Sequence, residues 1–300
     1  EPTKALVRDC AKRLNYKPNI MASNLRTCKN TTIGIVLPEV NHHFFASVLD
    51  GIEQTANEAG YNIIICQTGE NVKKEVQSIQ TLMGSRVAGI LAGISKQTCT
   101  FQHLQEVINA DIPLVLYDRP CPSLPCDQVV SDDYLGAFKA VEYLIQTGCQ
   151  RIMYFSSPMQ LEVAHRRYQG WRDALQRYNM PIDDSMIVTC DSRAQAIIET
   201  PMVLKRDDKP DAIFCVNDDC ASGVLYAAQI LGLKIPEELA ICGFSNAPLC
   251  RNTYPMLTTV EQHGVEIGKH AIMRLLKRLN GDERFAQTEM IATDLIVRET

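Results

Sequence analysis

The sequence predicts an α/β protein of two doubly wound lobes, each a parallel sheet covered by helices, with a short helical segment at the N-terminus. Three observations carry this expectation. From Thr31 onward, short β-branched runs alternate with helical patterns of about 10 to 18 residues. The strand-like runs are apolar throughout rather than alternating, as strands buried on both faces must be. Finally, 300 residues, 46% of them hydrophobic, exceed what a single core usually organises.

The first element is an amphipathic helix. In TKALVRDCAKRL, Val7, Cys10, Ala11 and Leu14 fall on one face and Lys4, Arg8 and Lys12 on another. Pro18 stops it after Tyr16 and Lys17, and Asn19 is a suitable N-cap for a second helix from Ile20 to about Arg26. Two helical turns are marginal in water, so this segment is expected to order only against a partner. The strand candidates follow: TIGIVL from Thr32, YNIIIC from Tyr61, AGILA from Ala88 and PLVLY from Pro113, then RIMYFS from Arg151, MIVTC from Met186, DAIFCV from Asp211 and LAICGF from Leu239. Helix-like stretches such as Phe45 to Ala59 and Asp133 to Thr147 separate them, and Gly60, Gly148 and Gly232 mark helix ends. Eight strands divide naturally into two sets of four. Because open α/β sheets bind ligands at the carboxyl ends of their strands, function is sought in LPEVNHHFF, YDRP, VSDD, FSSP, VNDD and GFSNAP.

Charge adds a second theme. The chain carries a net charge of −5, yet residues 1–30 hold seven basic residues against two acidic ones, leaving an acidic body. Such a front end suits a polyanion. Ala22 and Leu25, flanked by Arg26 and Lys29, have the character of a small residue and a wedge between phosphate-binding cations, as minor-groove insertion requires. A solvated basic linker is the plainer alternative. No apolar run approaches the roughly 18 residues of a membrane helix, and no signal-peptide core is present, so a soluble, cytoplasmic protein without membrane partners is expected. The 12 cysteines are scattered among apolar strands, for instance Cys66, Cys190, Cys215 and Cys242, which fits reduced thiols rather than a disulfide scaffold.

Enzyme motifs fail one by one. GFSNA departs from the nucleophile elbow because Ala247 replaces the final glycine, and no G-x-G-x-x-G or Walker loop follows a strand. His42 and His43 are adjacent rather than spaced as a helical metal pair, and CPSLPC is not a C-x-x-C site. Neither catalysis nor a metal or cofactor is expected.

NYKPNIMASNL resembles the L-G-Y-x-P-N-x-x-A-x-x-L segment that joins the DNA-binding and effector domains of the lactose-repressor (LacI/GalR) family, with Asn15 in place of the usual glycine. The resemblance extends along essentially the whole chain. IGIVLPEVNHHFFASVLDGIE is similar to the family's first strand, cleft loop and helix, and VVSDDYLGAFKAVEYLI and GCQRIMYF to its crossover and next βα unit. RRYQGW fits R-x-x-G-F/W, VNDDCASG fits N-D-x-x-A-x-G, and GFSNAPLCRNTYPMLTTVEQ fits the G-[FY]-D and P-x-L-T-T-[IV]-x-Q run, with Ser245 where many relatives have aspartate.

The resemblance implies a sugar-responsive transcriptional regulator, a repressor, with periplasmic-binding-protein-like lobes. Residues 1–30 would be a partial helix-turn-helix and hinge helix, 31–130 with 261–290 the N-terminal effector lobe, and 131–260 with 291–300 the C-terminal lobe, the stretch MIATDLIV being its final strand. The chain opens at what resembles the third helix of the DNA-binding unit, so it is expected to be a fragment of a longer protein. Carried over by position, Asp118 would accept sugar hydroxyls, Arg167 would donate a rigid pair of hydrogen bonds or else pair with a carboxylate such as Asp218, and Asn217 would both donate and accept. Phe44 would stack on the ring or join Phe45 in the core, with His43 beside it; Asp218 would be a ligand contact or structural; Gln262 would lie near the lobe crossover. Trp171 is assigned to the core. Ser245 removes a carboxylate for which Asn246 would compensate, which favours an anionic effector. Tyr16, Asn19, Ala22, Leu25, Arg26 and Lys29 would contact operator DNA in a homodimer. A transport-type sugar-binding protein is the alternative, sharing the lobes but not the basic segment.

Overall fold

The structure, a computed structural model, describes residues 2–14 and 30–300. Helix α1 (Pro2–Arg13) carries the predicted basic ridge; Val7 and Leu14, on its apolar side, are largely exposed. The expected second helix, with Tyr16, Asn19, Ala22, Leu25, Arg26 and Lys29, lies outside the described residues.

The chain then builds β1 (Thr32–Leu37), α2 (His43–Glu58), β2 (Asn62–Gln67), α3 (Val72–Gly84), β3 (Gly89–Ala92), α4 (Gln102–Asn109), β4 (Leu114–Tyr117) and β5 (Asp127–Ser131). After β5 come α5 (Asp133–Gln146), β6 (Ile152–Ser156), α6 (Glu162–Arg177), β7 (Ile187–Thr189), α7 (Arg193–Val203), β8 (Ala212–Cys215), α8 (Asp218–Ile230) and β9 (Ala240–Cys242). The last elements are β10 (Thr259–Glu261), α9 (Gly264–Leu279), β11 (Thr288–Ile291) and β12 (Asp294–Ile296). Two parallel sheets result, one of six strands in the order β11-β5-β4-β3-β1-β2 and one of four in the order β7-β6-β8-β9, with an antiparallel β10-β12 ribbon beside them. All eight expected strands form. The expectation of four strands per sheet is corrected, because Asp127–Ser131 and Thr288–Ile291 extend the first sheet to six.

MIATDLIV is not one strand. Met290 and Ile291 pair with β5, whereas Asp294–Ile296 pairs with β10, and the chain crosses between them. Uniform hydrophobicity concealed that change of partner.

Local chemistry sets the helix ends. Asn71, Asp132, Ser192 and Asn217 each cap a helix by accepting a backbone N–H of its first turn. Gly60, Gly148 and Gly232 follow α2, α5 and α8 with positive φ, as their positions predicted. Helices α2 and α9 touch backbone to backbone: a Cβ at Gly268 would strike the Val48 carbonyl, and one at Gly51 the Val265 carbonyl. Trp171 is fully buried and donates its Nε1–H to the Ile152 carbonyl at 3.0 Å, as its core assignment requires. The cysteines among the described residues are free, and Cys121, Cys126, Cys190, Cys215, Cys220, Cys242 and Cys250 are buried.

Three strands of chain cross between the sheets and are tied together. Gln262 donates to Ser131 Oγ at 3.1 Å and accepts from Ser245 Oγ at 2.8 Å, while Thr293 Oγ1 donates to the Asp132 carbonyl at 3.2 Å. These links hold the carboxyl edges of the sheets facing one another.

Candidate functional site

A cavity of about 260 Å³ lies between those edges. This is close to the lower end of the roughly 300–1,000 Å³ of small-molecule sites. The six-stranded sheet contributes His42 after β1, Glu70 after β2, Lys96 after β3, and Asp118 with Arg119 after β4. From the other side come Ser157 after β6, Asp191 after β7, Asn217 and Asp219 after β8, and Ser245 after β9, with Arg167 reaching in from α6.

Its electrostatics are those of matched charges. Arg119 grips Glu70 with two parallel hydrogen bonds of 2.8 Å and donates to the Ile94 carbonyl at 2.6 Å. Burial pushes the Glu70 carboxyl up, but Arg119 and the Lys96 backbone N–H outweigh it and hold the group below its ordinary range. Lys96 pairs with Asp191 at 2.7 Å. Arg167 donates its Nε–H to Asp133 at 2.7 Å and an Nη1–H to the Val216 carbonyl, and its guanidinium lies 3.7 Å from the Phe244 ring centroid. Arg193 lies over the Tyr226 ring at 5.3 Å.

Asp118 is different. It is 6% exposed, has a left-handed backbone (φ 69°), and its carboxylate accepts no hydrogen bond among the described residues; Arg119 Nε stands 3.6 Å from it. Burial raises its pKa to about 6 against the opposing pull of Arg119. Facing the same space, His42 has its pKa lowered by burial, with Asp219 opposing, and its Nδ1 has no partner among the described residues.

The sequence-predicted residues divide into groups. Phe44, Asp118, Arg167, Asn217, Ser245 and Gln262 line the cavity. Phe44 and Phe45 are both 4% exposed and meet edge to face at 5.4 Å, so both serve the core and both reach the wall. Arg167 pairs with Asp133, not Asp218. Asn217 spends its amide on a cap to Cys220 N and a bond to the Asp191 carbonyl, each 2.8 Å.

Three expected residues stand elsewhere. Both oxygens of the buried Asp218 are engaged, one by Thr259 Oγ1 and the other by Ala247 N at 2.7 Å, so it is a structural anchor between β8 and β10. Asn246 bonds Glu261 at 2.8 Å and accepts from Arg298, outside the cavity, and therefore does not replace the carboxylate that Ser245 removes. His43 lies 3.4 Å from Ser47 Oγ and borders a neighbouring chamber.

Glu70, Lys96 and Asp191 escaped the sequence reading, and Arg119 and Asp219, though within YDRP and VNDD, were not singled out. Each follows a strand, in QTGE, GISK, DRP, CDSR and NDD, so the carboxyl-end rule applied to all eight strands would have collected them. Among the described residues no cluster suits a metal ion, and no helix is long and apolar enough to cross a membrane.

Comparison with known proteins agrees with this geometry. The family model for a periplasmic binding protein-like domain matches residues 141–300. The chain is 31% identical to the HTH-type transcriptional repressor PurR of Vibrio vulnificus over 100% of its own length and 90% of the relative's. It is 33% identical to catabolite control protein A of Priestia megaterium, covering 93% of this chain and 84% of that protein. A solved structure of a periplasmic binding protein/LacI transcriptional regulator from Alkaliphilus metalliredigens, complexed with D-xylulofuranose, superposes with a TM-score of 0.79 at 28% identity, over 90% of this chain and 99% of that one. Similarity to a repressor along the entire chain, the basic N-terminal segment included, sets aside the transport alternative and an enzymatic role. The chain belongs to the LacI/GalR family of transcriptional regulators.

Proposed function

We propose that the cleft binds a neutral, polyhydroxylated effector, a sugar or sugar derivative, whose occupancy controls operator binding by a cytoplasmic homodimer. Asp118 carries the reading. A buried carboxylate that accepts no hydrogen bond among the described residues and has only the Arg119 guanidinium, at 3.6 Å, beside it suits the hydroxyl hydrogens of a sugar. Arg119, Lys96 and Arg167 are already paired with carboxylates, so an anionic effector, favoured from the sequence, would have to compete for them. In this reading Phe44 packs beside the ring, Ser245 supplies a polar contact, and Asn217 and Arg167 position the wall.

Residues 31–130 with 261–290 would move as one lobe and 131–260 with 291–300 as the other, hinged near Ser131, Gln262 and Ile291. Closure would set the separation of the paired hinge helices, and so decide whether Leu25 wedges into DNA with Tyr16, Asn19, Ala22, Arg26 and Lys29 around it.

A thermal-shift panel of sugars, sugar phosphates, sugar acids and nucleobases tests the effector class. A ligand at a hundredfold excess over its Kd adds roughly 2.7 kcal/mol. Asparagine tolerates a left-handed backbone, so Asp118→Asn preserves the fold while removing the charge. A sugar that shifts the wild type and not this variant supports the reading. A shift confined to another compound class overturns it. The DNA step is tested with operator DNA: operator affinity that is unchanged by effector would refute the coupling.

A further inference from the structure

Residues 93–101, which join β3 to α4, run longer than the roughly 2–6 residues of an ordinary βα connection. Such a loop would by itself sway. Lys96 lies within it, yet its amine meets Asp191 of the other sheet at 2.7 Å. A lysine stem is flexible, so a contact of this kind persists only when the backbone beneath it keeps its place.

Two glutamates hold that backbone. Glu70 accepts the Lys96 N–H at 2.6 Å and Glu75, in the first turn of α3, accepts the Ser95 N–H, so successive amides of the loop end on two carboxylates. Glu70 lines the cleft, whereas Glu75 is 1% exposed and takes no part in the cavity wall. The other oxygen of Glu75 lies 3.0 Å from Thr98 Oγ1, which donates to it, and 2.7 Å from His103 Nε2 in the first turn of α4. An ionised carboxylate only accepts, so His103 presents its Nε2–H there. The Thr68 and Ser95 hydroxyls, 2.8 Å apart and buried, close the network.

Stability alone does not call for a carboxylate at this position. Burying a charge is costly unless every oxygen is satisfied, and an apolar side chain of similar volume would fill the space without that cost. What the carboxylate supplies instead is geometry: it fixes Ser95 and Thr98, on either side of Lys96. We infer that Glu75 is a positioning residue for the cleft, touching no ligand but holding the Lys96 loop where the amine bridges to Asp191. The contact that ties one sheet to the other across the cavity thus depends on a carboxylate outside it. The inference rests on the cleft being the effector site and is indifferent to the effector's class.

Lysine acylation of the purified, ligand-free chain by N-hydroxysuccinimidyl acetate, mapped by mass spectrometry, reads the contact directly. An amine held in an ion pair turns its nitrogen to the carboxylate rather than to the reagent, and the exposed Lys205 and Lys234 serve as references. Asp191→Asn should raise the relative rate at Lys96 by up to about fivefold, the limit for a partly exposed pair. Glu75→Gln, which keeps the volume and removes the charge, should raise it by a similar factor. The double variant should exceed neither single one, because both act on the same contact. Thr98→Val, which deletes one donor to Glu75, is read by the same two criteria should Glu75→Gln fail to fold. A folded Glu75→Gln that labels like the wild type, or factors that multiply in the double variant, makes Glu75 a structural support only and overturns the inference. Asp191→Asn without effect overturns it too, since no contact is then left to position. No effector enters the experiment, so its failure leaves the sugar reading standing.

Discussion

Lys96 and Asp191 form an ion pair of 2.7 Å that spans the cleft, the lysine following β3 of the six-stranded sheet and the aspartate following β7 of the four-stranded sheet. The lysine's backbone N–H also donates to Glu70 at 2.6 Å, and Glu70 is held by Arg119, the neighbour of Asp118. A ladder of alternating charge thus runs from Asp191 through Lys96, Glu70 and Arg119 to Asp118.

Because opening the cleft would part Lys96 from Asp191, Lys96→Ala should weaken effector binding. The side chains are 30% and 15% exposed, so solvent screening limits the pair to about 0–1 kcal/mol, or up to about fivefold in affinity. The loss is expected in dilute buffer and should vanish near 1 M salt, where the Debye length is about 3 Å. Titration at two ionic strengths checks this; a loss independent of salt would point to a contact other than the ion pair.

Asp118 sets function against stability. Its folded pKa, about 6, lies above the ordinary aspartate value because burial disfavours the charge. The sign follows: the burden on the fold is absent below the unfolded pKa near 4, grows between there and the folded pKa of about 6, and is fully present above it. Asp118→Asn should therefore be more stable than the wild type at pH 7, by about 1–3 kcal/mol, with the difference gone near pH 4. Urea denaturation across pH measures it. Effector affinity of the wild type should fall below about pH 6, as the carboxylate protonates.

Arg167 answers to a different mechanism. Its removal leaves Asp133 charged and buried, with burial already raising that carboxyl's pKa against the pull of the arginine. Arg167→Ala should cost about 3–5 kcal/mol, whereas losing a ligand contact alone would leave the denaturation midpoint unmoved. Arg167→Lys restores charge but neither the fork nor the stacking on Phe244, and an intermediate loss is expected.

Gly268→Ala probes the packing beneath the cleft. A methyl there meets the Val48 carbonyl, so α9 must move away from α2, and a loss of about 1–3 kcal/mol or more is expected. Thermal unfolding shows it directly. Gly84→Ala, with no atom near its Cβ, is the matched control and should be neutral or slightly stabilising.

Much of this protein was determined by its sequence alone. Uninterrupted runs such as IGIVL and DAIFCV announce strands buried on both faces, glycine at 60, 148 and 232 announces helix ends, and the motifs from NYKPN to LTTVEQ announce the family. All of these are local: a strand's hydrophobicity or a left-handed glycine is decided within a few residues. Tertiary structure alone decided the partners. Nothing in RRYQGW says that Arg167 pairs with Asp133 rather than Asp218, because the choice depends on where α5 and α6 cross. Asp218 and Asp219 are adjacent in sequence, yet the helix start turns one inward to Thr259 and Ala247 and leaves the other facing the cleft. Likewise the break within MIATDLIV and the bridge from Lys96 to Asp191 each join segments far apart in sequence. Such contacts exist only once both sheets have formed and their carboxyl edges meet, since distance in space, unlike hydrophobic pattern, is not a property of neighbouring residues.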